Sequence, residues 1–215
     1  MNDGYFYMIV IWILLILAAT RWLDFLWAAH PWKSVIHKGV IILLVAQLVT
    51  QGWYVSLPSA SQYAMNVNIL MTALICGYRL WRDKSGFMMQ MVAVILFLGV
   101  LYAVSHQLFL WDPVLMVLPP FYLFPVFFSL LLLLTTLHLP HLWLMMASGM
   151  ILGELLHKLF LLQYVDYAQV GDAAFRDQLA MGLCLVTGVA FSVRYGIKGY
   201  RYLHKLILSQ WKEEG

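Results

Sequence analysis

The sequence predicts an all-α protein, a polytopic transmembrane helix bundle of about seven spans. Two observations support this. Of the 215 residues, 63% are hydrophobic and only 11% are charged, and the mean hydropathy is +0.83, whereas a soluble domain has roughly 45–50% apolar and about 25% charged residues. The apolar residues also form long runs, and a helix needs about 20 such residues to cross a bilayer core.

Seven runs of this kind are bounded by charged residues, prolines or aromatic residues. The first begins close to Met1 without the basic segment and cleavage site of a signal peptide, so we expect it to remain as a membrane helix. Prolines crowd the start of the fifth, and we expect residues 110–119 to lie outside the membrane core. The predicted spans are 5–23, 36–54, 64–81, 87–109, 120–138, 142–162 and 178–196.

Basic residues predict the orientation. Cytoplasmic loops carry an excess of Lys and Arg, and eleven of the 13 such residues fall in the first loop, the third loop or the C-terminal tail. With seven spans, the N-terminus is predicted outside and the C-terminus in the cytoplasm. The longest polar stretch, 163–178, contains Asp166, Asp172 and Asp177 and is predicted to be an acidic outer loop.

The chain is predicted to form one integral membrane domain, 1–215, because no linker or repeat divides it. Its last segment, 197–215, is predicted to be a basic amphipathic cytoplasmic tail. Such a helix binds anionic headgroups or a partner, although the same residues also act as an ordinary topology signal. The basic residues at helical spacing are Lys198, Arg201, Lys205 and Lys212.

Three ionisable residues lie one helical turn apart in the sixth span, within GELLHKLFLLQY at 153–164. At a rise of 1.5 Å per residue, Glu154 lies roughly 13 Å from the outer end of the span, too deep to reach the headgroups, whereas Lys158 can extend to them. Ionisable residues inside a membrane usually mark functional sites. A structural ion pair is the alternative, because Glu154 and Lys158 are spaced i, i+4 and Glu154 and His157 i, i+3.

Polar side chains of other spans are brought to the same outer side by the alternation of the helices. With Glu154 and His157 they predict an outward-facing polar pocket for a small ligand or a proton; alternatively, they contact water and headgroups at the interface. The candidate pocket residues are Glu154, His157, Lys158, His106, Gln107, Gln47, Gln51, Asn66 and Asn68.

No metal, cofactor or catalytic residue is predicted. Glu154 and His157 form half of the signature of di-iron carboxylate proteins, which takes two such motifs and two further glutamates, and the spans offer a single glutamate. The P-loop, zinc-hydrolase, serine-hydrolase and dinucleotide-binding motifs are missing from the sequence. Histidines on the cytoplasmic side have no facing pair at matching depth; they are His30, His37, His138 and His141.

Small residues at four-residue steps predict close contacts between helices. Span six contains Gly149 and Gly153. We expect contacts between spans six and seven or their neighbours, and specifically a contact of spans six and seven through Gly153 and Gly188. The same stripe is also compatible with a homodimer seam. The small residues of span seven are Ala180, Cys184, Gly188, Ser192 and Gly196.

The opening segment GYFYMIVIWILLILAATRW, the short basic loops and the total length resemble the YphA type of small multi-pass membrane proteins of Bacillus and related endospore-formers. The resemblance implies a multi-pass protein of the bacterial cell membrane and a family with no established activity. The resemblance assigns no functional role to any residue of this chain.

The sequence favours a non-enzymatic membrane protein, acting as a scaffold, an assembly factor or a partner-binding subunit. The alternative is a small transporter or sensor that uses the polar pocket around Glu154 and His157, and a membrane-embedded enzyme ranks third. The expected partners are the lipid bilayer and either a membrane protein or a second copy of the chain. A net charge of +3 is too small to indicate nucleic acid.

Overall fold

A computed structural model describes residues 3–23, 33–57, 60–83, 86–112 and 119–213. Within these ranges the chain forms seven helices and three short strands, and the helices follow the seven predicted runs in order. The helices are α1 Tyr5–Ala19, α2 Lys33–Val49, α3 Val67–Arg82, α4 Met88–Trp111, α5 Pro120–Thr135, α6 Leu139–Leu161 and α7 Ala173–Glu213. The strands are β1 Tyr54–Leu57, β2 Ala60–Asn66 and β3 Ala168–Val170.

Three helices in the described ranges are long and apolar enough to cross a membrane. They are α4, α6 and the first part of α7, Ala173–Ile197. The other apolar helices are shorter than a full span and comprise Tyr5–Ala19, Ser34–Val49 and Phe121–Thr135. The helical membrane architecture is therefore confirmed in its general form.

The all-α prediction missed a small sheet. Its strand order is β1-β2-β3, with β1 and β2 antiparallel and β2 and β3 parallel, so that Tyr63 lies opposite Ala168. The third span was predicted to begin at residue 64, but the chain is extended up to Asn66 and turns helical only at Val67. Asn66 causes the change, because its Oδ1 accepts a hydrogen bond from the N–H of Asn68 at 3.0 Å and thereby caps α3.

Helix α6 is the centre of the bundle and contacts α3, α4, α5 and α7. Methionines contribute much of its buried surface, and Met145, Met146 and Met150 are fully buried. Methionine is flexible and fills irregular gaps between helices. A polar residue on the side of α6 that faces these helices therefore lies inside the protein.

The two glycines of α6 set its distance from α4. A Cβ atom at Gly153 would lie 2.5 Å from Cβ of Tyr102, and one at Gly149 would lie 2.9 Å from Cβ of Leu98. These separations are shorter than van der Waals contact, so only glycine fits at either position. The close seam of α6 is therefore made with α4, whereas the expected partner was α7.

Helix α7 turns most of its small-residue stripe away from α6. A Cβ atom at Gly188 or Gly196 would have no neighbour within 4 Å, and Cys184 and Ser192 are exposed. Ala180 is buried, but against α1 and α2. A glycine of α7 that does face α6 is Gly182, where a Cβ atom would overlap the side chain of Met146. Ala180 and Cys184 are each two residues from Gly182, which places them about 200° away around the helix axis. They therefore lie on the side of α7 opposite to Gly182.

Helix α7 is longer than the predicted span 178–196. Its 41 residues correspond to about 62 Å at 1.5 Å per residue, twice the roughly 30 Å thickness of a hydrocarbon core. The helix thus continues well past the length of one crossing, into the predicted tail at 197–215. The side chains from 198 onwards lie outside the described part of the chain, as do residues 113–118 of the segment expected beyond the membrane core.

Candidate functional site

Glu154 points into the interior of the bundle and is 2% exposed. Its Oε1 atom lies 3.4 Å from Nζ of Lys158, one helical turn further along α6. Its Oε2 atom lies 3.4 Å from the hydroxyl group of Tyr102, which α4 brings across the seam at Gly153. The carboxyl group is therefore held between a cation of its own helix and a hydroxyl group of a neighbouring helix.

Lys158 does not extend to the headgroups as expected, because a second carboxylate binds it. Its Nζ atom lies 3.0 Å from Oδ2 of Asp172 as well as 3.4 Å from Glu154. Asp172 reaches this position through the turn after β3, where Gly171 adopts a φ of +76° and packs so closely on Ile69 that no Cβ atom would fit. This backbone conformation strongly favours glycine.

Asp172 also begins α7. Its Oδ1 atom accepts a hydrogen bond from the N–H of Phe175 at 2.8 Å, the geometry of a helix N-cap. When both carboxyl groups are ionised, Glu154 and Asp172 together carry two negative charges, and Lys158 carries one positive charge. The group therefore has one negative charge in excess when the nearby histidines are neutral.

Two histidines, His157 buried and His106 half-buried, stack beside this group. His157 is 8% exposed, and its ring centroid lies 4.6 Å from that of His106 on α4. The ring of His106 also stacks on Phe124 of α5, at 4.6 Å between centroids. Neither Nε2 of His106 nor Nδ1 of His157 has a hydrogen-bond partner among the described residues, and both atoms are buried. Each ring thus keeps one nitrogen available for a proton or a ligand.

Tyr102 links Glu154 to α7. Its hydroxyl group lies 3.1 Å from Oε1 of Gln178 and 3.4 Å from Oε2 of Glu154. A tyrosine hydroxyl has one proton, so it cannot donate fully to both oxygens. The residues that converge here are named the polar cluster: Tyr102, His106, Glu154, His157, Lys158, Asp172 and Gln178.

The other candidate residues do not join the polar cluster. Asn68 donates through Nδ2 to the carbonyl oxygen of Gln47 at 2.9 Å, and Asn66 donates through Nδ2 to that of Gln51 at 3.0 Å. These contacts join the end of α2 to the beginning of α3. Gln107 is half-buried on α4.

Helix α7 begins five residues earlier than predicted, so part of the expected outer loop is helical and buried. Arg176, Asp177 and Gln178 all lie inside the bundle. Asp177 caps the first turn of α1, because its carboxylate accepts hydrogen bonds from the N–H groups of Gly4 at 2.8 Å and Tyr7 at 2.7 Å. An aspartate before a helical run, as in GDAAFRDQ, is the sequence signal that indicates this earlier start.

A smaller polar group lies at the opposite end of the bundle. Nε2 of His141 is 3.4 Å from Oδ2 of Asp83, and its ring lies 4.4 Å from that of His138. Arg194 of α7 donates a hydrogen bond to the carbonyl oxygen of Leu137. Partial burial, followed by the nearby His141 and Arg194, holds the pKa of His138 below its usual value.

No group of three or more His, Cys, Asp or Glu side chains is arranged to hold a metal ion within the described ranges. His30, one of the four histidines noted in the sequence, falls in the segment 24–32 outside those ranges.

The comparisons with known proteins identify a family. A family model described as YphA-like integral membrane protein matches residues 3–212, nearly the whole chain. No curated protein and no solved structure matches the chain. The family match confirms the resemblance found in the opening segment and the short basic loops. The chain belongs to the YphA-like family of integral membrane proteins.

Proposed function

We propose that this protein is a small membrane sensor or transporter whose polar cluster binds a proton. The supporting observation is the convergence of ionisable side chains from α4, α6 and the start of α7 around Glu154. Burial of an ionised side chain at the centre of a membrane helix costs about 2.5–3.5 kcal/mol, whereas one i, i+4 pair contributes about 0.5 kcal/mol. The pair of Glu154 with Lys158 alone does not offset that cost.

The charge balance supports a proton as the ligand. The two carboxylates of the polar cluster face one ammonium group, and two imidazole rings lie beside them. A single proton, added at Glu154 or at a histidine, would neutralise the excess negative charge. Chains of Asp, Glu and His inside membrane proteins commonly serve as proton relays.

The hydrogen bonds support the same ligand. Protonated Glu154 would donate to the oxygen of Tyr102, and Tyr102 would then donate its own proton to Gln178. Both contacts of the hydroxyl group would become proper hydrogen bonds, which the deprotonated state cannot provide with one proton. The added proton would thereby tighten the contact among α4, α6 and α7, which is a means of converting binding into a change of helix packing.

We also infer that the chain crosses a bacterial cell membrane seven times, with the N-terminus outside and the C-terminus in the cytoplasm. The order of the helices and the distribution of basic residues support this arrangement. It places the polar cluster, near the end of α6 and the start of α7, towards the outer face. The whole chain acts as one domain in this proposal, with 197–215 as a basic cytoplasmic tail.

A partner-binding or scaffold role is the second candidate. The observation that favours it is the outward-facing stripe on α7 made by Cys184, Gly188, Ser192 and Gly196. Small residues allow the backbone of another helix to approach closely. This role does not require the polar cluster and predicts that changes at Gly188, rather than at Glu154, affect the activity.

The experiment uses the full chain in liposomes that contain a pH-sensitive dye, with a pH difference imposed across the membrane. A transporter gives a dye response that Glu154→Gln abolishes and that Asp166→Asn, a change at an exposed outer carboxylate, retains. A sensor gives no flux. Instead, the labelling rate of Gln169→Cys on β3, with Cys76 and Cys184 replaced by serine, changes with pH beyond the change expected from ionisation of the thiol itself, and Glu154→Gln removes this excess. If Glu154→Gln alters neither readout, the proposal is wrong.

A further inference from the structure

A second group of buried polar side chains lies where the start of α1, the end of α2 and the start of α7 meet. Its central residue is Arg176, which is 7% exposed. The Nη1 atom of Arg176 donates to the carbonyl oxygen of Gln51 at 2.8 Å, and the guanidinium group lies over the ring of Tyr7, 5.6 Å from the centroid. These two contacts hold the guanidinium group in place but leave its Nε atom without an acceptor.

Two buried donors have no acceptor here. Nε of Arg176 and Nε2 of Gln51 are both buried and make no hydrogen bond within the described ranges. Because the backbone carbonyl of Gln51 accepts a hydrogen bond from the guanidinium group, the two donors belong to neighbouring residues of the fold. Buried donors are nearly always paired in native proteins, so two in one place indicate a missing acceptor.

The charge of Arg176 also lacks a partner. Asp177, next in sequence, uses both carboxylate oxygens on the N–H groups of Gly4 and Tyr7, and adjacent helical positions point in different directions. Asp172, one turn earlier, is held by Lys158 and by the N–H of Phe175. In the described part of the chain, no carboxylate pairs with Arg176, and a buried cation without a counterion is strongly unfavourable.

We propose that Arg176 and Gln51 bind a phosphate group. A guanidinium group presents parallel N–H donors that match two oxygens of a phosphate, and the amide of Gln51 supplies a further donor. Gly4 lies beside this group, since a Cβ atom there would be 3.8 Å from the Nη2 atom of Arg176. The phosphate belongs either to an anionic lipid headgroup, which lies at the level of helix ends, or to free inorganic phosphate. This site does not depend on the proton proposed for the polar cluster.

The test measures binding to the delipidated full chain in detergent, in two arms. One arm titrates phosphatidylglycerol and the other inorganic phosphate, with chloride at equal ionic strength as the reference, and the shift in melting temperature reports binding. Saturation in the lipid arm identifies a headgroup site, and saturation in the phosphate arm identifies a free-anion site. If neither compound shifts the melting temperature beyond chloride, the proposal is overturned.

Variants locate the site. Arg176→Gln should weaken binding at least about tenfold, since a hydrogen bond to a charged group is worth about 1.5–3 kcal/mol. Because that variant also loses the contact with Tyr7 and can misfold, Gln51→Met serves as the second variant: it removes Nε2 but keeps the carbonyl oxygen that holds Arg176. Arg79→Gln, at an exposed position on α3, is the matched control. Unchanged affinity in Gln51→Met and a folded Arg176→Gln would contradict the assignment.

Discussion

Tyr102 and Gly153 are in direct contact across the seam between α4 and α6, and a Cβ atom at position 153 would lie 2.5 Å from Cβ of Tyr102. This contact has a consequence for the polar cluster, because the close approach of the two helices carries the Tyr102 hydroxyl group to within 3.4 Å of Glu154. Gly153 therefore allows α4 and α6 to pack closely, and it also brings Tyr102 to Glu154, the next residue in the sequence.

Gly153→Leu is expected to lower the free energy of unfolding by about 1–3 kcal/mol, the usual cost of overpacking, because the new side chain has no space beside Tyr102. Thermal unfolding in detergent measures the change. Gly188→Leu is the matched control and should have no effect, since its Cβ atom faces open space. Equal melting temperatures for the two variants would show that the seam between α4 and α6 is not close.

Asp177→Ala is expected to lower the free energy of unfolding by about 1–2 kcal/mol, as the loss of a helix N-cap does. The reason is that Asp177 holds two N–H groups at the start of α1 from a distant helix. Chemical unfolding in detergent checks the magnitude. The control is Asp166→Ala, which removes an exposed carboxylate from the loop before β3 and should leave the stability unchanged.

Lys158→Met is expected to be strongly destabilising, by about 3 kcal/mol, because it leaves Glu154 buried without its cation. Adding Glu154→Gln to this variant should restore part of the stability, since the unpaired charge is then removed. Unfolding of the wild type, both single variants and the double variant yields the coupling energy of the pair. A coupling energy of zero would mean that the two side chains do not interact in the folded protein.

His138 makes stability depend on pH at the other end of the bundle. Burial and the nearby His141 and Arg194 lower its pKa in the folded state, so the folded protein binds this proton more weakly than the unfolded chain, whose histidine pKa is about 6.5. The contribution of His138 to the free energy of unfolding is fully present above that value and is lost as the pH falls through the folded pKa. The melting temperature should therefore decrease below about pH 6.5, and His138→Gln should make that decrease less steep.

The order of the helices was predictable from the sequence because long apolar runs are a strong local signal. The sheet was not, since Ala60–Asn66 contains enough apolar residues to be read as the beginning of the third span, and its pairing with β3 joins segments about a hundred residues apart. The start of α7 was predicted too late because three acidic residues suggested a loop, although Asp172 caps the helix and Asp177 caps a different one.

The composition of the polar cluster was only partly predictable. Glu154, His157 and Lys158 are recognisable because charged residues are rare in an apolar run, and His106 follows from its position near the end of α4. Tyr102 and Gln178 carry no such signal, since their role depends on the rotation of α4 and α7 about their axes. The same rotation determines that Gly153 faces α4 and that Gly188 faces outward, which spacing along one helix cannot reveal.

A pH titration of the full chain by infrared difference spectroscopy measures directly whether Glu154 binds a proton coupled to the polar cluster. One component of the carboxylic C=O stretching band that grows as the pH is lowered should be absent in Glu154→Gln and persist in Asp166→Asn. Tyr102→Phe should shift the pH at which this component appears, while Tyr122→Phe, at an exposed position on α5, should not. A band that is unchanged in Glu154→Gln, or a Glu154 band that titrates identically in Tyr102→Phe, would contradict a coupled proton site.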